Sequence, residues 1–132
     1  MRSFFVKPLF AGLLLAPLAA LCAAAQGSPD AAKLQNPVAV SPESIAAGKQ
    51  AFNRYCANCH GLNAEGSPGN DLTPAAPDLT DKEWKHGSSD GEIFTVIKVG
   101  VGPSFDMAPW ADMLKDEEIW QVVNYLRSIA KK

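Results

Sequence analysis

Two cysteines and a histidine lie within five consecutive residues of this chain, Cys56-Ala57-Asn58-Cys59-His60. Residues three and four apart share one face of a helical turn, so both thiols and the imidazole can point to the same side. The C-x-x-C-H spacing is the attachment pattern of a c-type haem, in which the sulfurs form thioethers with the porphyrin and the histidine binds the iron. The motif predicts one haem c, attached through Cys56 and Cys59, with His60 as the proximal ligand.

Two other uses of a C-x-x-C pair are a redox-active dithiol and half of a zinc site. The first is typical of a βαβ sequence pattern, and the second needs another pair of ligands elsewhere in the chain. Neither pattern is present, since the remaining cysteine and histidine are Cys22 and His86. A histidine directly after the second cysteine favours haem attachment over both alternatives.

Residues 1–25 have the pattern of a secretory signal peptide. Arg2 and Lys7 give a positive start, an apolar stretch spans residues 9–21, and small residues end at Ala25. The apolar stretch is shorter than the roughly 20 residues that cross a bilayer, which disfavours an uncleaved anchor. We therefore expect cleavage near Ala25 and a periplasmic location. Bacteria attach c-type haem on that side of the cytoplasmic membrane.

The composition argues against a nucleic-acid partner. The chain carries 12 Lys and Arg against 14 Asp and Glu, a formal net charge of −2, and loss of Arg2 and Lys7 with the signal would make it more negative. Proteins that bind the phosphate backbone carry basic patches instead. A chain this short buries a modest fraction of its surface, so an apolar cofactor would contribute to its core.

The mature chain is predicted to have two parts. Residues 26–40 contain few large apolar side chains and are expected to form a flexible leader. Residues 41–132 are expected to form one domain. Ser41 is a suitable N-cap and Pro42 a suitable first helical residue, so the first helix begins there and delivers the haem motif at its end.

A Gly- and Pro-rich loop follows the motif over residues 61–78, and a short helix is expected over residues 80–85. Ser89 and Glu92 match a capping box, which predicts a helix that Gly100 ends. The final helix is the clearest element, with three acidic residues at its start, basic residues at its end and a periodic apolar face. Its aromatic side chains, Trp120 and Tyr125, are expected in the core.

Taken together, these elements resemble the class I mono-haem cytochromes c. The resemblance covers residues 41–132 and is strongest to the small bacterial cytochromes related to the haem domains of cbb3-type oxidase subunits and to dehydrogenase-linked cytochromes. It implies an all-α cytochrome c fold, with three to five helices around one covalently attached haem c and with crossing N- and C-terminal helices. Gly48 would allow those two helices to approach closely.

Three candidates exist for the second axial ligand. Met107 lies in a loop segment followed by Pro109 and resembles the family's ligand methionine, whereas Met113 is expected to be a packing residue. His86, in a solvent-facing loop, is the third and least favoured. The resemblance further implies that the Pro77 carbonyl accepts a hydrogen bond from the His60 imidazole. It also implies that Trp84 donates to a haem propionate, although a plain core role fits Trp84 equally well.

Iron held by both His60 and Met107 has no open coordination position. The sequence therefore predicts a one-electron carrier and no enzymatic activity: a soluble periplasmic monomer that shuttles electrons from a dehydrogenase or quinol-oxidising complex to an oxidase or reductase. It would meet the membrane only transiently, through those partners. Two alternatives stay open. One is a haem c subunit permanently docked to a dehydrogenase or oxidase, and the other is a small peroxidase or gas-binding haem protein.

Overall fold

The structure, a computed structural model, describes residues 29–66 and 72–131, so the predicted signal peptide lies outside the described residues. One short 3-10 helix precedes four α-helices, which are Ala31–Lys33 followed by α1 (Pro42–Tyr55), α2 (Ala57–His60), α3 (Asp90–Val99) and α4 (Asp116–Ile129). Extended pairing in these two ranges is limited to a single bridge between Val101 and Met107. The predicted all-α class is confirmed. None of the described helices has the length and apolar character needed to cross a bilayer.

Helix α1 begins where the sequence predicts. The Ser41 hydroxyl accepts a hydrogen bond from the Ser44 amide at 3.1 Å, and the Ser44 hydroxyl accepts one from the Ser41 amide at 3.0 Å. This reciprocal pair satisfies two donors that a helix start otherwise leaves without partners. The helix ends at Tyr55, and the haem motif forms the single turn of α2 directly afterwards.

Helices α1 and α4 meet at a point where a side chain would not fit. A methyl group added at Gly48 would lie 1.9 Å from the carbonyl oxygen of Gln121 on α4. One turn further along α1, the Phe52 ring lies 5.4 Å from the ring of Tyr125. Both rings are buried, so the predicted contact between the first and last helices of the domain is confirmed.

Helix α3 packs against α4 through stacked rings. Ser89 and Glu92 form the predicted capping box, with the Ser89 amide donating to the Glu92 carboxylate at 2.9 Å. The Phe94 and Trp120 rings stack with centroids 4.1 Å apart. Gly100, with a φ of +76°, ends the helix as predicted.

The predicted short helix over residues 80–85 is wrong. The Asp78 carboxylate accepts hydrogen bonds from the Thr80 amide and hydroxyl at 2.7 and 2.6 Å, and the Asp81 carboxylate accepts one from the Glu83 amide at 2.9 Å. Aspartate side chains that bond the backbone two residues later offer it an alternative to helical hydrogen bonds. The segment consequently forms successive turns.

The segment before Ser41 packs against the helices, which differs from the flexible leader expected over residues 26–40. Asn36 donates to the side-chain oxygen of Asn124 at 2.8 Å, and the Asn124 amide group donates to the Val38 carbonyl at 3.2 Å. Ala31 is buried, and a methyl group at Gly91 on α3 would lie 2.1 Å from its carbonyl oxygen. The prediction rested on the low hydrophobicity of the side chains in this segment. It missed the packing because backbone and side-chain amide groups make many of the contacts.

Candidate functional site

A cavity of about 510 Å³ opens beside the haem motif. Its walls come from the end of α1, from α2, from one face of α3, from the two loops before and after α3 and from Leu126 of α4. The lining is mostly apolar, and its large apolar side chains are Tyr55, Leu72, Leu79, Trp84, Ile93, Val96, Ile97, Val101, Met107, Trp110 and Leu126. Ligand and cofactor pockets are typically apolar concavities of roughly 300–1,000 Å³, so its size and chemistry suit a large flat apolar group.

Cys56, Cys59 and His60 all line this cavity, as the spacing of the motif predicts. The His60 amide donates to the Cys56 carbonyl at 2.9 Å, which closes the helical turn that gathers the three side chains on one side. Burial, and secondarily the neighbouring Cys59, raises the pKa of the Cys56 thiol to about 12. The Cys56 sulfur therefore faces an apolar space in which a thioether is better suited than a thiolate.

The His60 imidazole is held by the loop that follows the motif. Its Nδ1 lies 3.4 Å from the Pro77 carbonyl oxygen, the contact that the sequence predicts. Burial lowers the pKa of His60, and the hydrogen bond to Pro77 opposes this without overcoming it. A neutral imidazole whose Nδ1 proton is engaged presents Nε2 to a metal.

Backbone hydrogen bonds bring that loop to His60. The Gly66 amide donates to the His60 carbonyl at 3.0 Å, and the Leu79 amide donates to the Ala64 carbonyl at 2.8 Å. Gly66 has a φ of +79°, and a methyl group there would lie 2.8 Å from the carbonyl oxygen of Ala76. The chain can therefore return beside the motif because this position has no side chain.

The two candidate methionines have different environments in the structure. Met107 is half-buried and lines the cavity, and its carbonyl accepts a hydrogen bond from the Val101 amide at 2.9 Å. Met113 does not line the cavity and is 61% exposed, so its predicted packing role is wrong. It follows Trp110 in a surface turn that begins before α4.

Trp84 and His86 both line the cavity and are half-buried. For Trp84 this agrees with the expected position near the cofactor. For His86 it corrects the expectation of a solvent-facing residue, because the turns that replace the predicted helix over residues 80–85 carry the chain along the cavity wall.

Tyr55 and Trp110 also line the cavity, and neither was predicted from the sequence to belong to the site. A signal was available for both: Tyr55 immediately precedes Cys56, and Trp110 lies three residues after Met107. Their rings lie 5.8 Å apart, a contact that joins two distant parts of the chain and could not be read from local spacing.

Comparison with known proteins agrees with this geometry. Residues 43–126 match the family described as Cytochrome C oxidase, cbb3-type, subunit III. The cbb3-type cytochrome c oxidase subunit FixP of Sinorhizobium medicae is 33% identical over 95 residues, which is 67% of this chain and 31% of that protein. The chain thus spans about a third of the length of this curated relative.

Two solved structures share the fold. Cytochrome cL from the marine methylotrophic bacterium Methylophaga aminisulfidivorans has a TM-score of 0.58 and 29% identity, with 74% of this chain and 58% of that chain covered. The c-type cytochrome KustC0563 has a TM-score of 0.52 and 30% identity, with 64% of this chain and 98% of that chain covered.

This chain belongs to the cbb3-type cytochrome c oxidase subunit III family of c-type cytochromes. It binds haem c covalently, and Cys56 and Cys59 occupy the two attachment positions of the motif. The residues present fit that group, since both thiols, a buried neutral imidazole and a methionine border one apolar cavity.

Proposed function

We propose that the protein is a one-electron carrier in which His60 and Met107 hold the haem iron on its two sides. Support comes from one observation above all: these two side chains border the same apolar cavity as Cys56 and Cys59. With both axial positions taken by protein, no site is left for oxygen, peroxide or another substrate. Bound haem supplies a metal that gains and loses one electron, and we assign the protein no catalytic reaction.

The residues around the haem set its reduction potential. A methionine thioether as axial ligand raises the reduction potential. The Pro77 carbonyl orients the His60 ring through Nδ1 and makes the imidazole a better ligand. The apolar walls keep water from the metal, which further favours the reduced state. Trp84 lines the same cavity, and we propose that its indole N–H donates to a haem propionate.

We further propose a periplasmic, monomeric carrier that exchanges electrons with a dehydrogenase or quinol-oxidising complex and with an oxidase or reductase. The signal-like pattern in residues 1–25 and the chemistry of c-type haem attachment support the compartment. The match to nearly the whole length of KustC0563 supports a domain that can act by itself.

A docked subunit is the second candidate. It is favoured by the names of the curated relatives, which are subunits of cbb3-type oxidases about three times as long as the matched region. Purification from native membranes and periplasm at endogenous expression levels separates the two candidates. A carrier is recovered alone from the periplasmic fraction, whereas a subunit is recovered with its dehydrogenase or oxidase.

Replacement of each methionine tests the ligand assignment. Met107→Ala should abolish the sulfur-to-iron charge-transfer band of the oxidised protein and allow carbon monoxide to bind the reduced protein at once. Met113→Ala is the matched control and should change neither property, because Met113 is exposed and lies outside the cavity wall. Rapid binding of carbon monoxide to the wild-type protein would instead favour a gas-binding protein or peroxidase. A haem that cannot be reduced and reoxidised reversibly would contradict electron transfer.

A further inference from the structure

The loop that leads to Met107, residues 102–106, has little packing of its own. All five residues from Gly102 to Asp106 are exposed, including Phe105, whose φ of +54° is uncommon for a residue with a side chain. Within the described residues, the backbone hydrogen bond from Val101 to Met107 closes this loop on itself. The bond joins Met107 to Val101, a buried residue just past the end of α3, and a methyl group at Gly100 would lie 2.5 Å from the Met107 carbonyl oxygen. Met107 is therefore held on one side, and its position also depends on what holds the next few residues.

Trp110, three residues after Met107, is the point at which the chain is held again. Its amide donates to the Ile97 carbonyl at the end of α3 at 3.1 Å. Its carbonyl accepts hydrogen bonds from the Met113 and Leu114 amides at 3.0 and 2.9 Å, and Leu114 is buried in the core. Backbone bonds therefore fix where Trp110 lies along α3, and its ring is left to contact another residue of the cavity wall.

That ring meets the end of α1. The Trp110 and Tyr55 centroids are 5.8 Å apart with the planes inclined at 60°, a tilted arrangement that aromatic pairs prefer. Tyr55 directly precedes Cys56 in the sequence, and the guanidinium of Arg54 lies 5.3 Å from the Tyr55 ring centroid. The contact between the two rings thus links the residue before a haem attachment point to a residue three positions after the candidate ligand methionine.

We propose that Tyr55 and Trp110 are positioning residues that hold the Met107 segment against the haem cavity. This inference rests on the proposed function, in which Met107 binds the iron. A contact between α1 and the Met107 segment reduces the freedom of the thioether to leave, because movement of this segment away from the cavity also disturbs the contact between the two rings. Loss of the contact makes Met107 easier for an added ligand to displace.

Titration of the oxidised holoprotein with imidazole measures this directly. Trp110→Leu and Tyr55→Leu should each increase imidazole affinity by about 2- to 10-fold, the factor that corresponds to loss of one aromatic pair. The charge-transfer band from sulfur to iron should weaken in parallel. Because both substitutions remove the same contact, the double variant should show much less than the product of the two single effects. Trp110→Phe and Tyr55→Phe retain a ring and should restore most of the wild-type affinity.

Trp120→Leu is the matched control. Trp120 is a buried tryptophan in an aromatic pair with Phe94, but it does not line the cavity. Its replacement should lower the unfolding midpoint and leave imidazole affinity within twofold of wild type. If Trp110→Leu and Trp120→Leu raise the affinity equally, the effect is general destabilisation and the inference is wrong. Tyr55→Leu provides the same comparison if Trp110→Leu does not fold.

The two levels of the proposal fail in different ways. If Met107→Ala leaves the spectrum and the imidazole affinity of the wild-type protein unchanged, the ligand assignment fails, and the positioning role fails with it. If Met107→Ala removes the band while the Tyr55 and Trp110 variants retain wild-type affinity, Met107 is the ligand and another contact positions it.

Discussion

Helix α1 takes part in two regions that are completed in different ways. Around Gly48 and Phe52 the helix lies against α4, so closely that a methyl group at Gly48 would reach 1.9 Å from a backbone oxygen. One turn later, at Tyr55 and Cys56, the same helix borders a cavity of about 510 Å³. The first region is filled by the polypeptide, and the second is lined by apolar side chains that enclose a space which the polypeptide does not fill.

The two regions differ in what completes their packing. Close packing between α1 and α4 gives a contact that the polypeptide makes by itself, with Gly48 against the α4 backbone and with Phe52 and Tyr125 buried against each other. The cavity walls gain comparable contacts only from a large apolar partner, because an unfilled space leaves its lining without attractive neighbours. Haem c is therefore part of the core on one side of the molecule, and α4 is the core partner on the other.

Removal of the attachment sulfurs is expected to have the largest effect. The double variant Cys56→Ser/Cys59→Ser should lose covalent haem completely, as intact mass would show, and should lose the folding contribution of the filled cavity. Asn58→Ser is the control, because it changes an exposed residue between the cysteines and keeps the motif. A double variant that retained covalent haem and wild-type stability would contradict the conclusion that attached haem completes the packing around the cavity.

Overpacking at the helix contact should come next. Gly48→Leu should lower the free energy of unfolding by about 3 kcal/mol, the upper part of the usual penalty for inserting atoms into a packed core. The carbonyl of Gln121 is backbone, so α4 itself must shift. Ala46→Leu, on the exposed face of α1, should be nearly neutral in denaturant unfolding. An equal effect of the two substitutions would show that the helices are not closely packed at Gly48.

The buried amide network that joins residues 36–39 to α4 should contribute less. Asn124 is 1% exposed, and its amide bonds Asn36, the Val38 carbonyl and the Ser44 hydroxyl. Asn124→Ala should cost about 2 kcal/mol in denaturant unfolding, since buried partners are left without hydrogen bonds.

Two comparisons sharpen that result. Asn53→Ala, at an exposed position of α1, should have little effect on stability. A double-mutant cycle with Asn36→Ala should show coupling between the two asparagines. Additive losses would mean that the segment before α1 is not held by this network.

The smallest expected effect depends on pH. Hydrogen bonds from the Thr80 hydroxyl, and then from the Thr80 amide, hold the pKa of Asp78 below its ordinary value, and Lys131 contributes less. Since the folded-state pKa is depressed, the stabilisation is present above the unfolded-state pKa of about 3.9 and is lost as pH falls through the folded-state value.

Unfolding measured as a function of pH tests this contribution. Asp78→Asn should be less stable than wild type at pH 7, and the difference should shrink as pH falls from about 4, the unfolded-state pKa, through the lower folded-state pKa of Asp78. A difference that is constant over the whole pH range would show that the ionised carboxylate is not responsible.

Local signals in the sequence were sufficient for the elements whose hydrogen bonds lie within a few residues. Ser41, Ser89 and Gly100 marked helix ends correctly, because capping bonds join neighbours in the chain. The haem motif was equally local, since one helical turn aligns Cys56, Cys59 and His60. The same local reasoning was wrong for residues 80–85, where Asp78 and Asp81 compete for the backbone amides.

Residue types and short-range spacing by themselves determined the haem motif and the starts of the main helices, and the family resemblance implied the all-α class and favoured Met107. Tertiary structure alone decided that Met113 is exposed, that His86 lines the cavity wall, that residues 31–40 pack on α3 and α4, and that Tyr55 meets Trp110. The physical reason is distance along the chain. Each of these contacts joins residues far apart in sequence, so it depends on how the helices pack together. Local periodicity in the sequence does not predict that packing.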